Sequence, residues 1–180
     1  VEDAPDRGAI RASVETPLGP IRKTLGVMKG SPCVELEYVL DWKTIPVGSL
    51  RMGHVTLNPA AFDRRTLFYR TRNGGKGKET FHVAGKQVDH GGAVSFLVSA
   101  VQGIGVTDGV VELGDAGCCL RVEVDKSEAA LIGLVTFAQI GDTYFCRLSF
   151  SAGEMDETRR TDAPAGRGIS CRMKIGLGTE

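Results

Sequence analysis

The sequence predicts an all-β fold, an antiparallel β-sandwich, on three observations. Short runs alternate apolar and polar residues, the period of a strand with one buried face. Turn signals built on Gly, Pro, Asn and Asp recur every ~8–12 residues, which gives roughly ten to twelve strands. No strand is followed by a helix-length periodic segment, so a parallel sheet with a nucleotide crevice at its switch point is disfavoured. The 24 glycines are spread through the alternating runs and form no repeat or low-complexity tract.

The chain opens on "VEDAPDRGA", polar and Pro-containing, expected as a lead-in or linker over residues 1–8. Residues 9–180 are expected to form one sandwich domain. Ile10, Ala12 and Val14 alternate with Arg11, Ser13 and Glu15, and "TPLGP" turns the chain. "IRKTLGVM" reads as the second strand, and "KGSP" turns again. In "SPCVELEYVLDW", Val34, Leu36, Tyr38, Leu40 and Trp42 mark one buried face. Three such strands in succession make a meander. "AAFDRR" is compatible with a helical turn, "LFYRT" with a strand, and "NGG" with a turn that tolerates positive φ. "ETFHVAG" and "KQVDHGG" read as short strands. "AVSFLVSAVQGIGVT" is the most apolar stretch and reads as a doubly buried strand or an irregular mixture. "GVVELGDAGCCLRVEVD" is a hairpin around "GDAG", with Leu120, Val122 and Val124 on its buried face. "KSEAALIGLVTFAQI" follows. "YFCRLSFS" then returns with Tyr144, Cys146, Leu148 and Phe150 inward, and "ISCRMKIGL" closes with Ile169, Cys171, Met173 and Ile175 inward.

At 180 residues the chain can bury a sizeable core. Lys plus Arg and Asp plus Glu both number 22, so the net charge is zero. No global field attracts nucleic acid or an anionic membrane, and neither is expected as a partner. No apolar run approaches the ~20 residues of a membrane-spanning helix. The chain starts at Val1 with no signal-peptide pattern and is expected to be a fragment of a larger polypeptide. The five cysteines are scattered and odd in number, so they are expected as small buried hydrophobes in a reducing, cytoplasmic compartment. Without CxxC no zinc ribbon or finger is expected, and neither metal nor cofactor is assigned.

Motifs that carry chemistry are sparse. "GGKGKE" has Gly and Lys but not the spacing of a phosphate-binding loop, and reads as a hairpin turn with solvated lysines. His90 follows Asp89 and precedes two glycines; an Asp–His pair on a loop can orient an imidazole for acid–base work, or simply form a solvated turn. His54 and Glu112 are the other catalytic candidates, since general acid–base work is done by an imidazole or a carboxyl group. Glu112 and Glu123 sit on the two arms of one hairpin, and Glu35 and Glu37 share an outward strand face; the commonest fate of such carboxylates is a solvated surface. A site joining His54, His82 and His90 around a metal would need all three to converge, and no local pattern does this. Among the aromatics, Trp42, Tyr38 and Tyr144 fall on apolar faces and read as core. Tyr69, followed by Arg70 and Asn73, is the candidate for stacking on a polar ring. The expected ligand surface is therefore Tyr69, Asn73, Asp89 and His90.

The order of these signals resembles a known family. "ETPLGPIRKTLGVMKGSPCVELEYVLDW" resembles the strand–turn–strand pattern of the galactose mutarotase-like supersandwich. "GSLRMGHVTLNPAAFD", "YRTRNGG", "ETFHVAGKQVDHGGAVSFLVSA" and "LGDAGCCLRVEVDKSEAALIGLVTF" look like the C-terminal β-domain of proteins related to glycoside hydrolase family 57. The resemblance runs from about Ala9 to Thr161. It implies a domain attached to, or derived from, a carbohydrate-active enzyme whose catalytic residues sit in a separate N-terminal barrel. In mutarotases proper a His and a Glu act on the sugar ring, and the segments around His54 and His90 do not match that pair residue by residue. The expected function is a non-catalytic C-terminal domain of a glycoside hydrolase-like protein. Its expected partners are the N-terminal catalytic domain and a polysaccharide. The alternatives are a mutarotase-like enzyme acting on a free sugar, and a structural or interaction module without sugar binding.

Overall fold

The computed structural model describes residues 1–43, 48–83, 103–127, 131–155 and 168–178. The alternating runs become strands in nearly every place where both period and turn signals are present. β1 (Glu2–Ala4), β2 (Arg7–Val14), β3 (Ile21–Met28) and β4 (Cys33–Leu40) pair antiparallel in chain order, the expected meander. The opening residues, expected as a lead-in, are therefore part of the sheet: β1 folds back on β2 with Glu2 opposite Ala9. β5 (Gly48–Thr56) belongs elsewhere, and Asp63 caps a single 3₁₀ turn at Arg64–Thr66 by accepting from the Arg65 amide at 3.0 Å. β6 (Phe68–Thr71) and β7 (Glu79–His82) pair across the "RNGGKGK" connection, where Gly74 takes φ +89°. β8 (Gly103–Val106), β9 (Val110–Gly114), β10 (Cys119–Val124), β11 (Ile132–Ile140), β12 (Thr143–Met155) and β13 (Ile169–Leu177) complete the described strands. The described residues contain no α-helix.

Two sheets result. The larger runs β1-β2-β3-β4-β13-β10-β9-β6-β7 and the smaller β5-β12-β11-β8, with antiparallel pairing throughout. The last strand is the one that joins the halves: β13 slots between β4 and β10, with Met173 opposite Leu36 on one side and Val124 on the other. Register then fixes what each face carries. Leu36, Tyr38, Leu40, Cys171, Met173, Val122, Val124, Val111, Leu113 and Tyr69 point toward the smaller sheet. They meet Met52, Val135, Phe137, Tyr144, Cys146, Leu148 and Phe150 in one core. The inward assignments made from alternation on β12 and β13 all hold. Gly53 on β5 lies against Met173 of the facing sheet: it adopts φ +62°, and a Cβ there would strike the Met173 methyl and approach Phe150.

The opposite face of the larger sheet follows from the same register. It carries Arg7, Arg11, Thr24, Glu35, Glu37, Arg172, Lys174, Arg121, Glu123, Glu112, Arg70, Thr80 and His82. This charged face looks away from the core, and it holds both of the hollows described below.

Candidate functional site: the charged face of the larger sheet

The centre of this face is Glu112 on β9. Alternation puts it on the outward side of its strand, where a solvated carboxylate is expected. The structure overturns that expectation: Glu112 is 0% exposed, roofed by cations from three neighbouring segments. Arg70 on β6 donates from Nη1 to Oε2 at 3.2 Å. Lys78, from the "GGKGKE" connection, donates to Oε1, so one of the lysines read as solvated is an ion-pair partner. The Arg121 guanidinium on β10, directly opposite Glu112 in the hairpin register, stands 3.6 Å from Oε1. Arg121 also donates from Nε to Glu123 at 2.6 Å. Each cation stays about one-third exposed while the carboxylate is sealed.

A carboxylate removed from water without partners would neutralise itself by raising its pKa. Burial pushes Glu112 in that direction and is the largest single influence. The Lys78 hydrogen bond and the charges of Lys78, Arg70 and Arg121 together outweigh it, and the carboxyl is held below its ordinary 4.5. Glu112 is thus ionised at neutral pH and saturated with donors. It is suited to orienting three cations and ill suited to giving up a proton, or to accepting one from a substrate.

A hollow of about 370 Å³ opens beside this cluster, lined by Phe68, Arg70, the Asp115–Cys119 turn, Leu177 and Gly178. Arg70 lies over the Phe68 ring at 5.1 Å and donates from Nε to Thr80 Oγ1 at 3.1 Å. Asp115 closes its own turn, accepting from the Gly117 and Cys118 amides at 2.8 and 2.9 Å, and takes the Asp63 amide at 2.6 Å. Those amides, Asp63's foremost, hold its carboxyl low against a smaller push from burial. Cys118 is exposed on the rim. A larger hollow, about 510 Å³, lies on the same face among Arg7, Glu35, Glu37, Asp125, Arg172 and Lys174. Its charges are largely self-paired: Arg172 Nε donates to Glu37 at 2.9 Å, and Arg7 stands 3.6 Å from Glu35. Among the described residues no three His, Cys, Asp or Glu gather as metal ligands.

The residues singled out from sequence fare unevenly. Tyr69 is not a stacking platform on the surface. It is 0% exposed on the core side of β6, stacked on Phe81 with centroids 4.8 Å apart, and burial lifts its hydroxyl pKa to about 12. The run "LFYRT" alternates, and it is Arg70, not Tyr69, that faces out. Asn73 is exposed, but its amide is occupied within the fold: Oδ1 accepts from the Thr107 amide and hydroxyl, each at 3.0 Å, and Nδ2 reaches Gly105 O at 3.4 Å. His54 stands exposed on the outer side of β5 in the smaller sheet, across the sandwich from Glu112, so these two are not brought together. Asp89 and His90 lie outside the described residues. His82, weighed only as one corner of a metal site, shares the charged face with Glu112, since β7 pairs it opposite Phe68. Arg70, Lys78 and Arg121 were not anticipated. The Arg121–Glu112 pairing could have been counted outward from the "GDAG" turn.

No protein-family model matches the chain, and no curated protein matches it in sequence. Solved structures do match in shape. An Escherichia coli K12 protein, provisionally described as an aldose 1-epimerase, superposes with a TM-score of 0.52 at 11% identity, over 100% of this chain and 68% of its own. The two chains share the fold, an antiparallel β-sandwich. A galactose mutarotase related enzyme of Lactobacillus acidophilus reaches a TM-score of 0.47 at 11% identity, over 99% of this chain and 70% of its own. A galactose mutarotase-like protein of Lactobacillus casei reaches 0.46 at 11%, over 99% and 72%. At such identities the likeness concerns fold, and the site has to be read from its own residues. Among the described residues no helix is long and apolar enough to cross a membrane.

Proposed function

We propose that this chain binds carbohydrate on the charged face of its larger sheet, as a non-catalytic sandwich domain of a glycoside hydrolase-like protein. In that protein it packs beside an N-terminal catalytic domain and helps hold polysaccharide. The observation that carries the reading is Glu112 fixed beneath Arg70, Lys78 and Arg121 next to a hollow. Hydroxyl-rich ligands are recognised by convergent, pre-positioned donors, and a buried carboxylate that locks three cations supplies them at low entropic cost. The same saturation argues against chemistry at Glu112. The fold likeness to a protein described as an aldose 1-epimerase favours a sugar as the ligand class, by analogy only.

A mutarotase-like enzyme is the second reading, and one observation favours it: His82 and Glu112 occupy the same face. It requires measurable anomer interconversion, governed by a group titrating near neutrality. Calorimetric titration and thermal shift with α- and β-hexoses and with gluco-oligosaccharides, run beside polarimetry of fresh anomers, separate the readings. Saturable binding that raises the unfolding midpoint, with anomer exchange at the buffer rate, is the expected result. Accelerated exchange that is lost in His82→Ala would replace the accessory reading with the enzymatic one. Absence of binding by any sugar would leave a structural module.

A further inference from the structure

The cluster carries more positive charge than its own fold requires. Among the described residues, Arg70, Lys78 and Arg121 share two carboxylates, Glu112 and Glu123, so one positive charge of the cluster has no counter-charge there. Donors are also left over. Among the described residues, Arg70 uses Nε on Thr80 and one N–H of Nη1 on Glu112, leaving the second Nη1 N–H and both on Nη2; Lys78 gives one of its three N–H groups to Glu112. Arg70 is the member that lines the hollow. The acidic group on that rim, Asp115, has its charge met by three backbone amides and does not compete for Arg70. The volume, about 370 Å³, lies within the ~300–1,000 Å³ range of small-molecule sites.

Resting on the carbohydrate-binding reading, we infer that this hollow takes a sugar bearing an anionic group, a carboxylate or a phosphate. The anion lies against Arg70, with the Lys78 charge behind it on the same Glu112 carboxylate, and the ring occupies the space over the Asp115–Cys119 turn. A planar guanidinium with a free edge, backed by an ammonium, matches the oxygen geometry of either anion. Three partly exposed cations held in place by a sealed carboxylate are pre-organised for it: Glu112 cannot swing out to compete, and the cations need not be ordered on binding. Neutral sugars would use the same hydroxyl contacts and forgo the charge.

The test is a matched set of titrations on the intact chain at low salt: glucose and galactose, glucuronate and galacturonate, glucose 6-phosphate, and inorganic phosphate alone. The expected result is at least tenfold tighter binding of one anionic series than of its neutral parent, with the advantage shrinking as salt rises. Lys78→Gln lowers the anionic-to-neutral affinity ratio several-fold, whereas Lys29→Gln, the same charge change in the remote β3–β4 turn, leaves the ratio as it was. Location is read independently through Cys118: its alkylation by iodoacetamide slows in the presence of the favoured sugar, because Cys118 lines the same hollow. Equal affinity for neutral and anionic sugars overturns the inference and leaves carbohydrate binding standing. Inorganic phosphate binding as tightly as the sugar phosphate also overturns it, since the ring then contributes nothing. If no sugar binds at all, both readings fall together.

Discussion

Glu112 is the residue on which charge, burial and stability meet. Its carboxyl is held below 4.5 in the folded chain, so the unfolded chain takes up the proton first as pH falls. The sign follows: the group contributes stability that is fully present above its unfolded-state value. That contribution drains away from about pH 4.5 downward, until the folded-state carboxyl is itself protonated. Removing one member of a buried ion pair leaves the others uncompensated, which typically costs about 3–5 kcal/mol. Here the three cations are partly exposed and water can recover part of that loss, so Glu112→Gln is expected to cost about 2–3 kcal/mol at pH 7. The difference between variant and parent should narrow as pH is lowered through 4.5. Urea denaturation at a series of pH values measures both; a penalty that stays constant from pH 7 to pH 3 would mean that the ion pairs contribute nothing and Glu112 matters only for its shape.

At the scale of the element, the β6–β7 connection has two duties that its sequence shows only in part. "NGG" announces the turn, and Gly74 supplies the positive φ. Asn73 then ties this turn to the β8–β9 segment, accepting two hydrogen bonds from Thr107 and donating one to the Gly105 carbonyl, and Lys78 at its far end reaches Glu112. Asn73→Ala is therefore expected to lower stability by about 1–2 kcal/mol, since an individual exposed bond is worth at most ~1 kcal/mol. Sugar affinity should stay within twofold. Chemical denaturation beside a binding titration checks this, and lost affinity at unchanged stability would place Asn73 on the ligand surface, as its polar loop after Tyr69 suggests. The same element shows what sequence can and cannot reveal. Strand faces were legible because period 2 is local: Cys146, Leu148, Phe150, Cys171 and Met173 fall inward as alternation requires. Tyr69 reads as a surface residue from its polar neighbours Arg70 and Asn73, but the alternation of its own run turns it to the core. The site was illegible for a different reason. Arg70 and Lys78 stand 42 and 34 residues from Glu112 and meet it only when β6 pairs with β9, a partnership no local signal encodes.

For the molecule as a whole, the mismatch between a long sheet and a short one has a measurable consequence. The core draws on the larger sheet from β4 across to β7, and β2 and β3, Ile21 apart, extend beyond it as an overhang. On the core side of that overhang Ile10, Leu25 and Val27 are 56%, 39% and 49% exposed, and Val14 at the end of β2 is 61% exposed. The strands there have their ladder hydrogen bonds but little apolar packing, so they can open without disturbing the core. β9, β10 and β12 are the opposite case, with Val111, Leu113, Val122, Leu148 and Phe150 sealed. Native-state hydrogen exchange should therefore resolve two tiers. Amides of β2 and β3 should exchange about a hundredfold faster than those of β9, β10 and β12, a gap of ~2.7 kcal/mol in opening free energy. Only the β3 amides that bond to β4 should fall between the tiers, because β4 is anchored through Leu36, Tyr38 and Leu40. Uniform protection across the larger sheet at every protein concentration would show that its ladder alone holds the overhang as tightly as packing holds the core. Protection of β2 and β3 that rises with concentration would instead reveal a second molecule covering the exposed apolar residues. In that case Ile10→Lys should abolish the rise while leaving the β9 and β10 rates unchanged.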